Sequence, residues 1–294
     1  MATGSTSNFS LSRNECIEQA YRKIHTLRPG GRLSLDQIEQ AVTCLNMILR
    51  EEDLHGTDQA KNLWALQEKH LLLNDAQVIY SAQVDTGLAK DVLDLVQVFY
   101  RDSSGDDVEV KILDSQQYQA ISDKDGTGDV EQVYLKRSTD LSKQTLFISS
   151  APADSGTTSE ALGTDGNSYQ CIMVHTSASL TRPINGVDWE LYWQKGGTST
   201  TAWVTATSYT NGDLLRYIYK RSLYEFNLPT DNPDLPAGWG RYLVFRLAAD
   251  LAPEYAVGLE ERGWLRQTWM EARAEIFPSI RSGTTEFHNK GLYY

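Results

Sequence analysis

The sequence predicts an α+β fold made of a helical bundle from the N- and C-terminal helices, an antiparallel β domain and an extended C-terminal tail. Apolar residues recur at helical spacing in residues 12–56 and 239–277, which predicts the helices. Between residues 70 and 149 the apolar residues instead alternate with polar ones, which is typical of strands with one solvated face. The last 16 residues follow neither period, and this predicts the tail.

The N-terminal region predicts two helices joined by a short loop. Ser12 with Glu15 has the spacing of a capping box, and Ser34 with Gln37 repeats it before the second helix. The Pro-Gly-Gly sequence at 29–31 is expected to end the first helix. Because two helices with a short connection normally pack antiparallel, we expect a helical hairpin to open the fold.

The middle of the chain predicts an antiparallel sheet. Segments rich in β-branched and aromatic residues lie at 70–81, 92–100, 107–113, 130–136, 144–149 and 214–220. Polar and glycine-containing turns at 74–75 and 103–106 separate some of them, as hairpins require. The helical period then returns at Trp239–Ala252, is interrupted at Pro253 and continues to Phe277, where Pro278 is the expected end.

The composition changes along the chain predict four parts. Residues 1–11 form a flexible arm, 12–159 and 212–278 form the body, 160–211 form an inserted aromatic-rich β module, and 279–294 form the extended C-terminal tail. Residues 151–168 are small and polar, and we expect them to act as a linker to the module. A module this short is expected to pack on its own tryptophans or on a neighbour.

The formal net charge of −12 is concentrated in one stretch. Between Asp85 and Glu131, twelve acidic residues stand against four basic ones, whereas the first 12 residues carry no charge and Arg216–Arg281 is neutral. An acidic chain is not suited to bind nucleic acid over its whole surface. We also expect no membrane span, because no apolar run reaches about 18 residues, and no secretory signal, because the N-terminus lacks a basic segment followed by an apolar one.

The sequence lacks the residue clusters that enzymes use, so we expect no enzyme activity, no cofactor and no metal. The cysteines at 16, 44 and 171 form no CxxC pair, and the five histidines have no zinc-binding spacing. No phosphate-binding glycine loop and no GxSxG motif occurs.

Two possible sites stay open as alternatives, a catalytic Cys–His pair and a weak Ca²⁺ site. Cys171 and His175 are close in sequence, but on an extended strand they would stand roughly 13 Å apart, too far for a nucleophile and its base. The acidic turn at 123–129 has oxygen ligands and glycines for a weak Ca²⁺ site, but it lacks the closing glutamate of a calcium loop. A solvated turn explains these acids more simply.

In the C-terminal helical region a proline-bounded turn leads into a helix with Trp near its start and an LAPEY-like end. The residues of this motif are Pro233, Leu235, Pro236, Trp239, Leu247, Ala248, Leu251, Ala252, Pro253, Glu254 and Tyr255. The motif resembles a signature of the head-to-tail adaptor (tail accessory factor) family of short-tailed bacteriophages. The helical hairpin with Leu45-Asn46-Met47, a Trp at position 64 and a short helix near 116–121 also have counterparts, so the resemblance covers roughly 10–160 and 212–280.

The resemblance implies a virion protein that connects head to tail. Copies of it would form a ring, with twelve-fold symmetry like the portal, that extends the DNA channel and anchors tail nozzle, fibre or spike proteins. The C-terminal extension would dock on the portal, and Phe287, Leu292, Tyr293 and Tyr294 are the residues suited to fill its pockets. The competing interpretation is a flexible terminus; for the N-terminal arm, ordered and flexible interpretations both stay open.

Within this interpretation the acidic stretch has two explanations. It forms a negative channel wall, past which DNA slides without specific binding, or it merely keeps the protein soluble. Asp106, Asp107 and Glu109 are the candidate channel-facing acids. An unchanged rate of DNA ejection after charge reversal at these positions would contradict the channel wall.

The inserted module resembles short accessory modules of phage tail and fibre proteins and likewise has two explanations. Its aromatic residues Trp189, Tyr192, Trp193 and Trp203 form a small core, or some of them contact a tail partner or stack on sugars. The second explanation supports an alternative function, a receptor- or glycan-binding tail protein. A cell-wall hydrolase is a further alternative, but it lacks an acid/base pair.

Overall fold

The structure, a computed structural model, has a mixed α+β fold and describes residues 11–55, 65–85, 87–140 and 143–281. The described residues contain six α-helices and mostly antiparallel sheets. The chain divides into two compact units, Met1–Trp64 with Leu223–Tyr294, and Ala65–Ser222. We call them the helical unit and the β unit.

The helices and strands have the following bounds. The helices are α1 (Arg13–Lys23), α2 (Leu35–His55), α3 (Ser115–Gln119), α4 (Trp189–Tyr192), α5 (Gly240–Leu251) and α6 (Leu259–Arg281). The strands are β1 (Leu66–Leu72), β2 (Ile79–Ser81), β3 (Val92–Arg101), β4 (Asp107–Glu109), β5 (Lys111–Ile112), β6 (Gly126–Thr127), β7 (Gln132–Lys136), β8 (Thr145–Ile148), β9 (Ser150–Ala151), β10 (Glu160–Leu162), β11 (Ser168–Cys171), β12 (His175–Thr176), β13 (Trp193–Lys195), β14 (Ser208–Tyr209) and β15 (Leu214–Arg221).

The predicted caps begin both N-terminal helices. The Ser12 side chain accepts from the Glu15 amide and the Glu15 carboxylate accepts from the Ser12 amide, so the capping box at α1 is confirmed. The Ser34 hydroxyl and the Gln37 side chain satisfy each other's amides in the same way at α2. Side chains near in sequence make these bonds, which is why the sequence alone predicts them.

Helix α1 ends before the Pro-Gly-Gly sequence that was expected to stop it. His25 takes a left-handed backbone conformation (φ 57°), and its amide donates to Arg22. The Thr26 amide donates to the Tyr21 carbonyl, which completes a Schellman cap with histidine where glycine is usual. Leu27 is buried nonetheless, because the chain folds back after the cap.

Helix α6 continues past Pro278, the predicted end, to Arg281. A proline removes one hydrogen-bond donor from a helix, but its fixed φ is helical, so a final turn can follow it. The first three residues of the predicted tail, 279–281, are therefore helical, and the rest of it lies outside the described residues.

The β unit is built from two four-stranded sheets around one core. Their strand orders are β1-β15-β3-β4 and β2-β8-β7-β5, and only β5 and β7 in these sheets run parallel. The chain passes directly from β4 in one sheet to β5 in the other, and the Val110 amide between them donates to Val98. Buried side chains from both sheets, among them Tyr80, Leu146, Leu215 and Tyr217, form one hydrophobic cluster.

The segment 160–211 lies within the β unit and carries two small sheets, β10-β11-β13 and β12-β14. The predicted linker 151–168 is therefore partly strand, because β10 pairs with β11 in a hairpin. The two ends of the segment meet at its base, where the Ser159 amide donates to the Thr210 carbonyl over 2.9 Å. The structure therefore bounds the inserted module at residues 160–209, two residues short of the predicted 160–211. The chain then enters β15, which lies between β1 and β3.

Candidate functional site

The three predicted channel acids lie on one hairpin, but they do not present the same charge to solvent. Asp106 is exposed in the turn between β3 and β4, and Glu109 is exposed on β4. Asp107, at the start of β4, instead binds two arginines. Its carboxylate accepts from Arg101 over 2.6 and 2.8 Å and from Arg216 over 3.0 Å.

Asp107 therefore belongs to an ion-pair network with two buried arginines, although its own side chain stays 25% exposed. Burial alone would raise the pKa of Asp107, but the hydrogen bonds and positive charges of Arg101 and Arg216 outweigh it and hold this pKa below its ordinary value. Arg101 is only 4% exposed, so removing the carboxylate would leave a buried guanidinium without its partner. Charge reversal at Asp107 would disturb the fold, and we remove it from the candidate channel acids. Asp106 and Glu109 remain.

Glu68 and His70 on β1 extend the network. The Arg216 guanidinium donates to both Glu68 oxygens over 2.8 and 3.3 Å. Burial lowers the pKa of His70 to about 4, because Glu68 does not offset the desolvation of the imidazolium and Arg101 and Arg216 oppose its charge. The sequence carries no signal for this network, since its members lie on strands that are far apart along the chain.

The same region fastens the inserted module to the sheet. Arg101 donates to the Ile172 carbonyl over 3.2 Å. The Gln194 side chain accepts from the His70 amide over 3.1 Å and donates to the His70 carbonyl over 3.0 Å. Because β1 is an edge strand, the Gln194 amide satisfies backbone groups that a neighbouring strand would otherwise pair.

The aromatic residues of the inserted module form a core, as one of the two interpretations predicted. Trp193 is 2% exposed, and its indole donates to the Thr181 carbonyl over 2.8 Å. It clusters with Tyr169 and Tyr209, while Trp189, Tyr192 and Trp203 are partly buried against that cluster. Trp189, Tyr192 and Trp203 keep part of their surface exposed to solvent.

Cys171 and His175 are closer together than an extended strand would place them. Strand β11 ends at Cys171, and the bend that follows brings its Sγ within 3.8 Å of the His175 Nδ1. The expected 13 Å separation is therefore wrong, because the intervening residues are not extended. Burial nevertheless raises the pKa of Cys171 to about 12, and its thiol donates to the Met173 carbonyl. A thiol held in this form is a poor nucleophile.

The acidic turn at 123–129 is organised by its own hydrogen bonds. The Asp125 amide donates to the Asp123 carboxylate over 3.2 Å, and β6 pairs with β9. Within the described residues, no group of three or more His, Cys, Asp or Glu side chains could hold a metal ion.

The inserted module presents aliphatic side chains that the sequence analysis did not single out. Leu180, Ile184 and Val187 are exposed on the loop before α4, Val187 at 85%. The Asp188 amide donates to the Leu180 carbonyl and so closes the loop. Ile184 has φ of 71°, a strained conformation for a β-branched residue. The strained backbone could have been seen only in the structure.

In the helical unit, five of the eleven residues that carry the resemblance are buried, whereas Pro236, Pro253 and Glu254 are exposed. Trp239 precedes α5 and is 1% exposed, and Leu247, Ala248, Leu251 and Ala252 are completely buried. Tyr255 follows this helix and reaches α1, where its hydroxyl lies 3.1 Å from that of Tyr21. The Tyr21 hydroxyl also donates to the Gln37 carbonyl at α2.

The predicted portal-docking residues Phe287, Leu292, Tyr293 and Tyr294 lie outside the described residues, as do residues 1–10 of the arm and Trp64. Among the helices that the structure describes, none combines the length and apolar character that crossing a bilayer requires.

Comparison of the chain with models of known protein families gives no match, and comparison with curated proteins gives no significant match either.

Proposed function

We propose that this chain is a structural virion protein of the head–tail connector, which forms a ring below the portal and joins the head to the tail. The observation that carries the proposal is the role of residues 233–255. They resemble the adaptor signature, and in the fold Trp239 and the α5 residues Leu247 and Leu251 are buried, while Tyr255 contacts Tyr21 of α1. A motif of this kind specifies an architecture, which is what a ring subunit needs.

In this proposal the N- and C-terminal helices form one bundle, the β domain is the second part of the subunit, and the C-terminal tail extends to the portal. The ring has twelve copies to match the portal, and packaged DNA passes through it without specific binding. Asp106 and Glu109 supply exposed negative charge, which discourages contact with phosphates. Tail nozzle, fibre or spike proteins attach to the same ring, and the protein resides in the virion.

The alternative, a receptor- or glycan-binding tail protein, depended on the aromatic residues of the inserted module. Their packing in one cluster favours a structural role. Leu180, Ile184 and Val187 offer an aliphatic surface, which suits a protein partner better than a sugar.

The proposal is tested by mixing the purified chain with the portal protein of the same virus and imaging the mixture by electron microscopy. We expect a ring with one copy per portal subunit. A chain truncated after Arg281 should keep the circular dichroism of the full chain but fail to attach, and the triple variant F287A/Y293A/Y294A should attach weakly. Portal and chain that remain separate at micromolar concentrations would contradict the proposal.

A further inference from the structure

We infer that a cleft between β3 and β7 of the β unit binds an extended basic peptide, which pairs with the free edge of β7. The cleft has a volume of about 660 Å³ and is bounded by β3, by β7 and by residues 112–117. This volume lies within the range of roughly 300–1,000 Å³ that is typical of ligand pockets. All of these residues belong to the β unit, so binding there does not depend on the proposed ring.

Among the described strands, none lies beside Leu135 of β7 on the side of the cleft. The Ser149 amide donates to the Gln132 carbonyl, so alternate residues from Gln132 onward pair with β8 and the residues between them face the other way. On that other side the Leu113 amide donates to the Val133 carbonyl, and this is the last such bond within the described residues. The next residue to face this way is Leu135, which lines the cleft.

A helix cap turns the chain away from β7 at this point. Strand β5 ends at Ile112, and Asp114 caps α3. Its carboxylate accepts from the Gln117 amide over 2.8 Å, and the Gln117 side chain accepts from the Asp114 amide over 3.2 Å. Helix α3 therefore begins where a longer β5 would have covered Leu135. An uncovered strand edge of this kind can pair with the backbone of an extended peptide, as in β-augmentation.

The side chains of the cleft suit a peptide in which apolar and polar residues alternate. Leu95, Leu113 and Leu135 are buried and supply its apolar lining. Asp114 and Ser115 are exposed and supply polar groups where the cleft opens to solvent. Because successive side chains of an extended peptide point to opposite sides, an apolar residue can contact the leucines while its neighbours reach the polar groups.

The charges of the cleft favour a cation on the peptide. Asp94 and Asp114 both line the cleft, and both belong to the acidic stretch between Asp85 and Glu131. Asp94 is already paired, because Arg137 donates to it over 2.7 Å. In the part of the chain that the structure describes, the Asp114 carboxylate accepts from the capping amide and has no cationic partner. A lysine or arginine of the peptide would supply that partner.

A neutral sugar suits the cleft less well than a peptide. Sugars stack on the open face of an aromatic ring, and the aromatic residue of the lining is Tyr134. Its ring stacks on those of Tyr118 and Phe147, at centroid distances of 5.2 and 5.9 Å. Ring contacts within the subunit therefore already use Tyr134.

The test uses the full chain, labelled with ¹⁵N, and the pentapeptide Val-Lys-Val-Lys-Val with blocked ends. We expect saturable shifts of the Leu113 and Leu135 amide signals, and hydrogen exchange at the Leu135 amide should slow when the peptide is bound. Val-Glu-Val-Glu-Val should bind about tenfold more weakly, because its carboxylates meet Asp114. N-methylation of the three central residues of the lysine peptide should abolish binding, because it removes the backbone donors.

Two variants test the cleft from the side of the protein. Asparagine caps a helix as well as aspartate does, so Asp114→Asn should keep α3 and weaken binding of the lysine peptide about tenfold. The neutral peptide Val-Thr-Val-Thr-Val should bind this variant and the unmodified chain equally. Ser115→Trp should fill the cleft and abolish binding. Gln116→Trp is the matched control, since Gln116 is an exposed neighbour on α3 outside the lining, and it should bind normally.

No shift at millimolar lysine peptide would overturn peptide binding at this cleft. Equal affinity for the lysine and glutamate peptides, or shifts that spare Leu135, would overturn it as well. Shifts of the same signals by maltose and not by peptide would assign the cleft to a sugar instead. If Ser115→Trp loses the circular dichroism of the unmodified chain, the effect of Asp114→Asn decides. None of these outcomes bears on whether the chain forms a ring with the portal.

Discussion

At the scale of single residues, His70 links the stability of the β unit to pH. Its imidazole is buried beside Glu68, Asp107, Arg101 and Arg216 and remains neutral down to a pKa of about 4. An unfolded chain protonates the same histidine near its ordinary pKa of 6.5. Between these values the unfolded state binds a proton that the folded state excludes, so stability falls as the pH falls.

We expect the β unit to lose about 1.4 kcal/mol of unfolding free energy for each pH unit between 6.5 and 4 because of His70. Below pH 4 this loss should stop, since both states are then protonated. His70→Gln should remove this part of the slope. Urea unfolding at several pH values, with circular dichroism of the buried tyrosines as the probe, measures the difference between the two proteins. If the unfolding free energies of the two proteins fell equally with pH, a buried neutral His70 would be contradicted.

At the scale of elements, a polar clamp joins three helices of the helical unit. Glu52 of α2 is 4% exposed and accepts from the Tyr242 hydroxyl of α5 over 2.6 Å. It also accepts from Arg273 of α6 over 3.1 Å. The preceding residue, Glu51, makes a comparable contact with Arg246 over 2.9 Å, but its side chain is half exposed. The two glutamates differ chiefly in burial.

Burial should decide what each glutamate contributes to stability. Glu52→Ala leaves a buried tyrosine hydroxyl and a partly buried guanidinium without this acceptor, and we expect it to cost about 3 kcal/mol. Glu51→Ala removes a pair that solvent already screens and should cost less than about 1 kcal/mol. Urea denaturation of the full chain, followed by its helical circular dichroism, gives both values. If both variants lost the same unfolding free energy, the buried clamp would contribute no more than an ordinary surface ion pair.

The sequence predicts the elements whose causes are local. The caps at Ser12 and Ser34 and the strand segments near β3, β7 and β8 follow from neighbouring residues. The order of strands does not, because β15 joins the sheet between β1 and β3 only after the inserted module has intervened. The bend that brings Cys171 to His175 was not predicted either, because tertiary packing sets it and the spacing of apolar residues does not.

The candidate site was predicted less completely than the fold. Exposure of Asp106 and Glu109 follows from their place in and after a polar turn, whereas Asp107 differs from them only through Arg101 and Arg216. The second of these arginines is more than a hundred residues away in the chain.

At the scale of the whole molecule, the inserted module is fastened to the β unit without sharing its core. The hydrophobic cluster around Trp193 and the cluster between the two large sheets have no residue in common. The module is held at its base by Ser159 and Thr210 and at its side by Arg101 and Gln194. Polar contacts of this kind each contribute roughly 1 kcal/mol. The main core should therefore survive loss of the module.

We expect a chain in which Asn-Gly replaces residues 160–209 to fold. The Ser159 amide donates to the Thr210 carbonyl and the Thr210 amide donates to the Ser159 hydroxyl, so the two residues are neighbours that a two-residue Asn-Gly turn can join. The deleted chain should unfold cooperatively at a temperature several degrees lower, because Arg101 and the edge of β1 lose their contacts. Gln194→Ala removes only the contact with the edge of β1. Its unfolding temperature should lie between those of the deleted chain and the full chain.

The same deletion separates two tasks of the proposed function, ring formation on the portal and attachment of a tail protein. The helical unit and the C-terminal tail lie outside residues 160–209, so the deleted chain should still form rings on the portal. If Leu180, Ile184 and Val187 contact a tail protein, those rings should fail to recruit it, and electron microscopy of assembled particles would show portals with rings but incomplete tails. A deleted chain that lost the circular dichroism of its buried tyrosines would instead make the module part of the folding core. Complete tails on folded, deleted rings would assign tail attachment to another surface.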